Sequence, residues 1–279
     1  MLKRLLNKFY NISSVYFFQK SQNQWYEDPI KPNKRVDKGY FISLHQKAKR
    51  NTNAEINNLE TQIGYSIDQK WLHELALITQ ITKKDSEINY QHGRLLYSVL
   101  KNYLDLHRNN QYPINILETG TARGFSALCM AKALNEGGKI GRIFSFDVLP
   151  HFTPMYWNNI TDMDGKLDRK SLLSKWEDLI NKYIIFIQGN TKIMLGRIQL
   201  PRINFAFLDG AHTYEDVMFE FGEIKNRQMK GDVIVFDDYN PYQFKGLVKA
   251  VDQICEEYNY QRKNIVTNSD RGYVIASKK

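Results

Sequence analysis

A chain of 279 residues, 42% hydrophobic and 25% charged, has room for one large domain or a domain with appendages, and is too apolar to be disordered. Its two cysteines exclude a disulfide-stapled secreted scaffold and point to reduced thiols in a cytoplasmic protein; no run approaches the roughly 18 apolar residues of a spanning helix. The net charge of +9 suggests a nucleic-acid binder until it is located: residues 1–50 hold 11 of the 39 Lys and Arg but 3 of the 30 Asp and Glu, and the remainder is nearly neutral.

Leu2, Leu5, Leu6, Phe9 and Ile12 recur at helical spacing, with Lys3, Arg4 and Lys8 off the stripe. Such a basic amphipathic helix can lie on an anionic membrane surface; packing against its own domain or a second copy of the chain is the alternative. The order of charge, apolar core and small-residue cleavage site that marks a secretory signal is not met. Residues 20–60 are polar, with Pro29 and Pro32 bracketing a loop, so 1–68 reads as a basic N-terminal extension and 69–279 as the main domain. Helical spacing returns between 69 and 107, first in Trp71, Leu72, Leu75 and Ile78, then in Leu95, Leu96, Val99, Leu100 and Leu104.

Beyond residue 110 short apolar runs alternate with helical stretches. The runs Ile114–Glu118, Arg142–Asp147, Tyr183–Gln188, Ile203–Asp209 and Asp232–Asp237 suit strands buried on both faces. Helices are expected at 125–136, 169–181, 214–227 and 243–258. This alternation predicts an α/β fold, a doubly wound, mostly parallel sheet with helices on both faces. Asn264–Thr267 and Tyr273–Ser277, flanking a turn at 268–272, predict a closing antiparallel hairpin.

The first strand runs through Glu118-Thr119-Gly120-Thr121-Ala122-Arg123-Gly124-Phe125-Ser126 straight into a helix. An acid followed by G-x-x-x-G is a tight turn that lets backbone approach a ligand closely. The spacing fits neither the dinucleotide fingerprint nor a P-loop. Asp147 ends the second strand, where a carboxylate can accept from both hydroxyls of a ribose.

These segments resemble the class I S-adenosylmethionine-dependent methyltransferases over residues 90–277. ILETGTARGFSA is similar to the family's first motif, which implies that Glu118, Gly120, Thr121, Gly124 and Ser126 surround the methionine part of the cofactor. FSFDV resembles the second motif, with Asp147 on the ribose. Gly189 and Asn190 correspond to the segment beside the adenine, where many members have an acid in place of Asn190. Ala122 stands where the loop commonly has a middle glycine.

The fourth strand ends in Asp209-Gly210-Ala211-His212 and the fifth in Asp237-Asp238-Tyr239-Asn240. In a parallel sheet both open on the edge that carries the glycine loop. Three carboxylates converging there call for a hard divalent cation, Mg²⁺ foremost. LDGAHTYEDV and GDVIVFDDYNP are similar to segments of metal-dependent catechol-type and macrolide-sugar-type O-methyltransferases. That resemblance implies Asp209, Asp237 and Asp238 as metal ligands, with Asp209 also at the cofactor, although the catechol-type pattern ends Asp-Asn rather than Asp-Asp. His212 is placed to take a hydroxyl proton as general base, with Asp209 beside it. The long connection 148–182, opening with the aromatic stretch 150–157, reads as a lid over an acceptor or as plain packing.

The activity this predicts is methyl transfer to a hydroxyl of a small molecule or sugar. A nucleobase-amine methylase would carry Asn/Asp-Pro-Pro-aromatic after its fourth strand, and an RNA ribose methylase would surround its cleft with basic charge; neither is seen. The competing reading is a non-catalytic methyltransferase-fold scaffold docked through its basic N-terminus.

Overall fold

The computed structural model describes residues 36–84, 86–266 and 271–279. The expected amphipathic helix near the N-terminus, the Pro29–Pro32 loop and most of the hairpin turn lie outside the described residues. Four helices come first: α1 (Lys38–Ala48), α2 (Ala54–Ile63), α3 (Gln69–Thr79) and α4 (His92–Leu106). α1 and α2 fall in the stretch read as polar extension. Their boundaries are nevertheless set by ordinary capping: Asp37 and Asn53 accept from the Tyr40 and Ile56 amides, and Gly64 closes α2 in the left-handed region. Phe41, Ala48, Ile56 and Leu59 are buried in the same core as Leu95 and Leu96 of α4, so from Phe41 onward this stretch shares the core of the domain.

The remaining elements are β1 (Ile114–Thr119), α5 (Phe125–Glu136), β2 (Gly141–Asp147), α6 (Arg169–Leu172), α7 (Glu177–Tyr183), β3 (Ile184–Gln188), α8 (Thr191–Leu195), β4 (Phe205–Leu208), α9 (Tyr214–Ile224), β5 (Val233–Phe236), α10 (Lys245–Glu257), β6 (Tyr260–Val266) and β7 (Gly272–Lys278). They form one seven-stranded sheet in the order β3-β2-β1-β4-β5-β7-β6. The first five strands are parallel, and β7 enters antiparallel between β5 and β6. The expected helix at 169–181 is broken: α6 stops at Leu172, a single 3-10 turn follows, and α7 starts at Glu177. Leu172, Leu173 and Trp176, on either side of the break, are buried in the core.

β4 and β5 are buried at every residue because helices cover both sheet faces. Phe205 and Phe207 face α4 and α5, while Leu208 and Phe236 face the core lined by α9 and α10. Each such side chain stabilises the fold by roughly 1.5–3 kcal/mol on burial. The register places Glu118 beside Ser145 on one side and Phe207 on the other. The loops leaving β1, β2, β4 and β5 therefore emerge side by side on one edge. Among the described residues no helix is long and apolar enough to cross a membrane.

Candidate functional site

The loop after β1 is shaped by close backbone contact. Gly120 has φ +86°, and a Cβ there would lie 2.0 Å from the Asp209 carbonyl oxygen, so only glycine allows the β1 and β4 ends to touch. The Gly120 and Thr121 amides donate to the Phe146 carbonyl at 2.9 and 3.2 Å, which ties the loop to the end of β2. Asp147 then grips the loop from the other side. Its Oδ2 accepts from the Ala122 amide at 2.5 Å and its Oδ1 from the Leu149 amide at 2.7 Å. Burial raises the Asp147 carboxyl above its ordinary range, against the charge of Arg169 and these hydrogen bonds.

A cavity of about 580 Å³ opens over this edge, a size suited to a cofactor. Of the residues expected at the cofactor, Gly120, Asp147, Asn190 and Asp209 line it. Glu118, Thr121, Gly124, Ser126 and Gly189 are not in its wall. Glu118 is fully buried, accepts from the hydroxyls of Ser126 and Ser145, and so fastens β1 to α5 and β2 beneath the loop. Burial pushes its pKa up to about 7, with both hydrogen bonds working the other way. Asn190 caps α8 by accepting from the Lys192 amide at 3.0 Å.

Two cavity acids escaped the sequence reading, Asp216 and Glu220. Glu220 is buried, accepts from the Thr119 hydroxyl at 3.0 Å, and is pushed up to about 8 by burial. Its signal was available: it occupies the buried stripe of α9 with Val217, Phe221 and Ile224, where an acid is out of place.

Asp209, His212 and Asp238 meet beside the cavity. His212 Nε2 lies 3.1 Å from Asp238 Oδ2 and 3.7 Å from Asp209 Oδ1. That nitrogen is buried and has no hydrogen bond of acceptable geometry, and the imidazole rests on Phe244 at 4.5 Å between ring centroids. The two carboxylates raise the His212 pKa to about 10, while burial and the neighbouring Asp237 raise Asp209. Among the described residues, Asp209, His212 and Asp238 present donor atoms within 4.8 Å of one another. Two hard oxygens and an unsatisfied buried imidazole nitrogen suit a divalent cation.

Asp237 stands apart from the role the motif implied for it. It is fully buried, and Arg271 forks onto both of its oxygens, with Nε 3.0 Å from Oδ1. Burial alone would raise this carboxyl, but the guanidinium outweighs it and holds the pKa below the ordinary value. Arg271 also reaches Asp238 Oδ1 at 3.2 Å. The expectation that three acids lacked compensation is thereby revised: β7, running antiparallel beside β5, delivers a cation to the same edge. Asp237 in turn accepts from the Asp238 amide at 2.7 Å, holding Asp238 at φ +52°.

The connection 148–182 packs onto the glycine loop. Trp157 is fully buried and donates from Nε1 to the Leu167 carbonyl at 2.7 Å, so this member of the aromatic stretch is core, whereas Phe152 is 78% exposed. Arg123 from the loop donates to the Trp157 carbonyl, and Arg169 donates back to the Ala122 carbonyl from Nε at 3.1 Å and Nη2 at 2.8 Å.

A 3-2-1-4-5-7-6 sheet with a glycine loop and an acid at successive strand ends is the arrangement of the Rossmann-like methyltransferase fold, and this chain carries it. Residues 117–239, from β1 to the loop after β5, match a family model described as a methyltransferase domain. Solved structures of similar fold include cofactor-bound Rv0187 from MTB (TM-score 0.54, 15% identity, 76% of this chain and 90% of that one). TomG, an O-methyltransferase from Streptomyces achromogenes involved in tomaymycin synthesis and solved with SAM, aligns at TM-score 0.52 and 15% identity over 81% and 96% of the chains. An O-methyltransferase from Bacillus cereus in complex with SAH aligns at 0.50 and 14% over 87% and 100%. No curated protein sequence matches the chain.

Proposed function

We propose that the protein transfers the methyl group of S-adenosylmethionine to a hydroxyl oxygen of a small-molecule or carbohydrate acceptor, assisted by a divalent cation and by His212. One observation carries this reading: Asp209 belongs both to the cofactor cavity and to the cluster with His212 and Asp238, so donor and acceptor sites share a wall. The sulfonium methyl is already activated. What the protein adds is alignment of the oxygen behind it and removal of its proton.

Asp209 and Asp238 would hold the cation. When bound there, Mg²⁺ or a similar ion orients an acceptor hydroxyl and lowers its pKa. In the cluster as it stands, His212 is held as an imidazolium and has no site for a proton. With the two carboxylates engaged by the cation, the support for that charge would fall away and Nε2 would be a neutral acceptor. A second reading makes Nε2 the third ligand, favoured by the 4.8 Å grouping of donor atoms. Asp237, kept ionised by Arg271, positions Asp238 in either case.

Calorimetric titration with S-adenosylmethionine, with EDTA or Mg²⁺, tests the reading. Absence of cofactor binding overturns it, and turnover unaffected by chelation removes the cation alone. His212→Ala separates the two roles of the imidazole: a base loses turnover at unchanged Mg²⁺ affinity, a ligand loses both.

A further inference from the structure

Ala122 is the one non-glycine residue of the cofactor loop with positive φ, at +45°. An L side chain there disfavours the left-handed region by a factor on the order of ten, so something must hold it. Its amide donates to Asp147 Oδ2, and its carbonyl receives both Nε and Nη2 of Arg169. Peptide groups on both sides of the strained residue are thus pinned, one by the ribose acid and the other by a guanidinium.

Arg169 is built for this task. It is 1% exposed, its Nη1 meets His151 Nδ1, and its backbone amide donates to the His151 carbonyl at 3.1 Å. The guanidinium carbon sits 5.6 Å from the Trp157 ring centroid and 5.5 Å from that of Phe186. Burial lowers its pKa to about 10, partly offset by the nearby Asp147 and Glu118 carboxylates, to neither of which it makes a direct ion pair among the described residues. A lysine could not fork onto the same carbonyl.

We infer that Arg169 is a positioning residue for the cofactor: from the connection between β2 and β3 it clamps the Ala122 carbonyl, keeps that residue left-handed, and so aims the Ala122 amide at Asp147 and shapes the loop for the methionine and ribose parts of S-adenosylmethionine. The connection is on this account part of the cofactor site, whatever it does for the acceptor. The inference rests on the cofactor assignment proposed above.

A double-mutant cycle on the full chain tests it, with S-adenosylhomocysteine as the titrated probe and thermal melting as control. Ala122→Gly alone supplies the corner of the cycle against which the rescue is read, because glycine enters the left-handed region freely. Arg169→Gln should weaken binding at least tenfold, and Ala122→Gly in that background should restore most of the loss. Arg169→Lys, which keeps the buried cation but not the fork, should show a smaller loss that Ala122→Gly also rescues, and serves if the glutamine variant does not fold. Unchanged affinity in the Arg169 variants, or a loss that Ala122→Gly leaves in place, overturns the clamp. A wild-type protein that does not bind the probe at all overturns the cofactor assignment and the clamp with it.

Discussion

Asp147 shows how much one side chain does here: it caps the turn after β2 through the Leu149 amide and holds the glycine loop through the Ala122 amide. On the proposed function, its remaining lone pairs would accept from a ribose. Asp147→Ala should weaken S-adenosylhomocysteine binding by about 1–3 kcal/mol, measured by calorimetry, because charged hydrogen bonds to the ligand are lost along with the loop's support. His212→Ala should leave that affinity near wild type and lower turnover on the order of 100-fold. An unchanged rate would mean that the imidazole neither moves the proton nor holds the ion. Both residues were legible from their place at strand ends. Arg271 was not: an arginine in a turn-like segment carries no signal until β7 folds back beside β5.

At the scale of elements, the close approach of the β1 loop to the end of β4 is the most exacting feature. Gly120→Ala would push a methyl into the Asp209 carbonyl and force a left-handed alanine, so either the loop or Asp209 must move. The expected result is loss of cofactor binding together with lower thermal stability, the strain alone costing about 1–3 kcal/mol. Strands and the later helices could be placed from apolar runs and helical spacing, since β4 and β5 are too buried to read as anything else. α1 and α2 were missed because they are mostly polar. The three buried residues of each acquire meaning only against α4, although Asp37, Asn53 and Gly64 are cap signals that mark their ends. The break between α6 and α7 was equally illegible, since apolar spacing does not say which side chains must share a pocket.

On the scale of the whole molecule, the site edge gathers buried acids whose pKa values burial has raised, Glu118 to about 7 and Glu220 to about 8. Both bind protons more tightly in the folded chain than in the unfolded one. Their contribution to stability is therefore full below the ordinary glutamate pKa and is lost as pH rises through about 7 and 8. His45, His73, His92 and His151, whose pKa values burial lowers, act in the opposite sense below about pH 6.5, so the acid's effect shows in the difference between variants: Glu118→Gln should gain melting temperature relative to wild type as pH rises from 5 to 8. A melting-temperature difference between the two that stayed constant over that interval would contradict the raised Glu118 pKa.

The sequence by itself determined the alternation of strands and helices, the glycine loop, and the acids and histidine that end β1, β2, β4 and β5. These follow from local periodicity and from the rule that parallel strands open on one edge. Tertiary structure alone decided the charge partners: which acid Arg271 neutralises, that Glu118 faces its own helix rather than the cavity, and that Arg169 reaches the Ala122 carbonyl from 47 positions away in the chain. Electrostatic energy and hydrogen bonding depend on angstrom distances between residues remote in sequence, and no pattern along the chain encodes those distances.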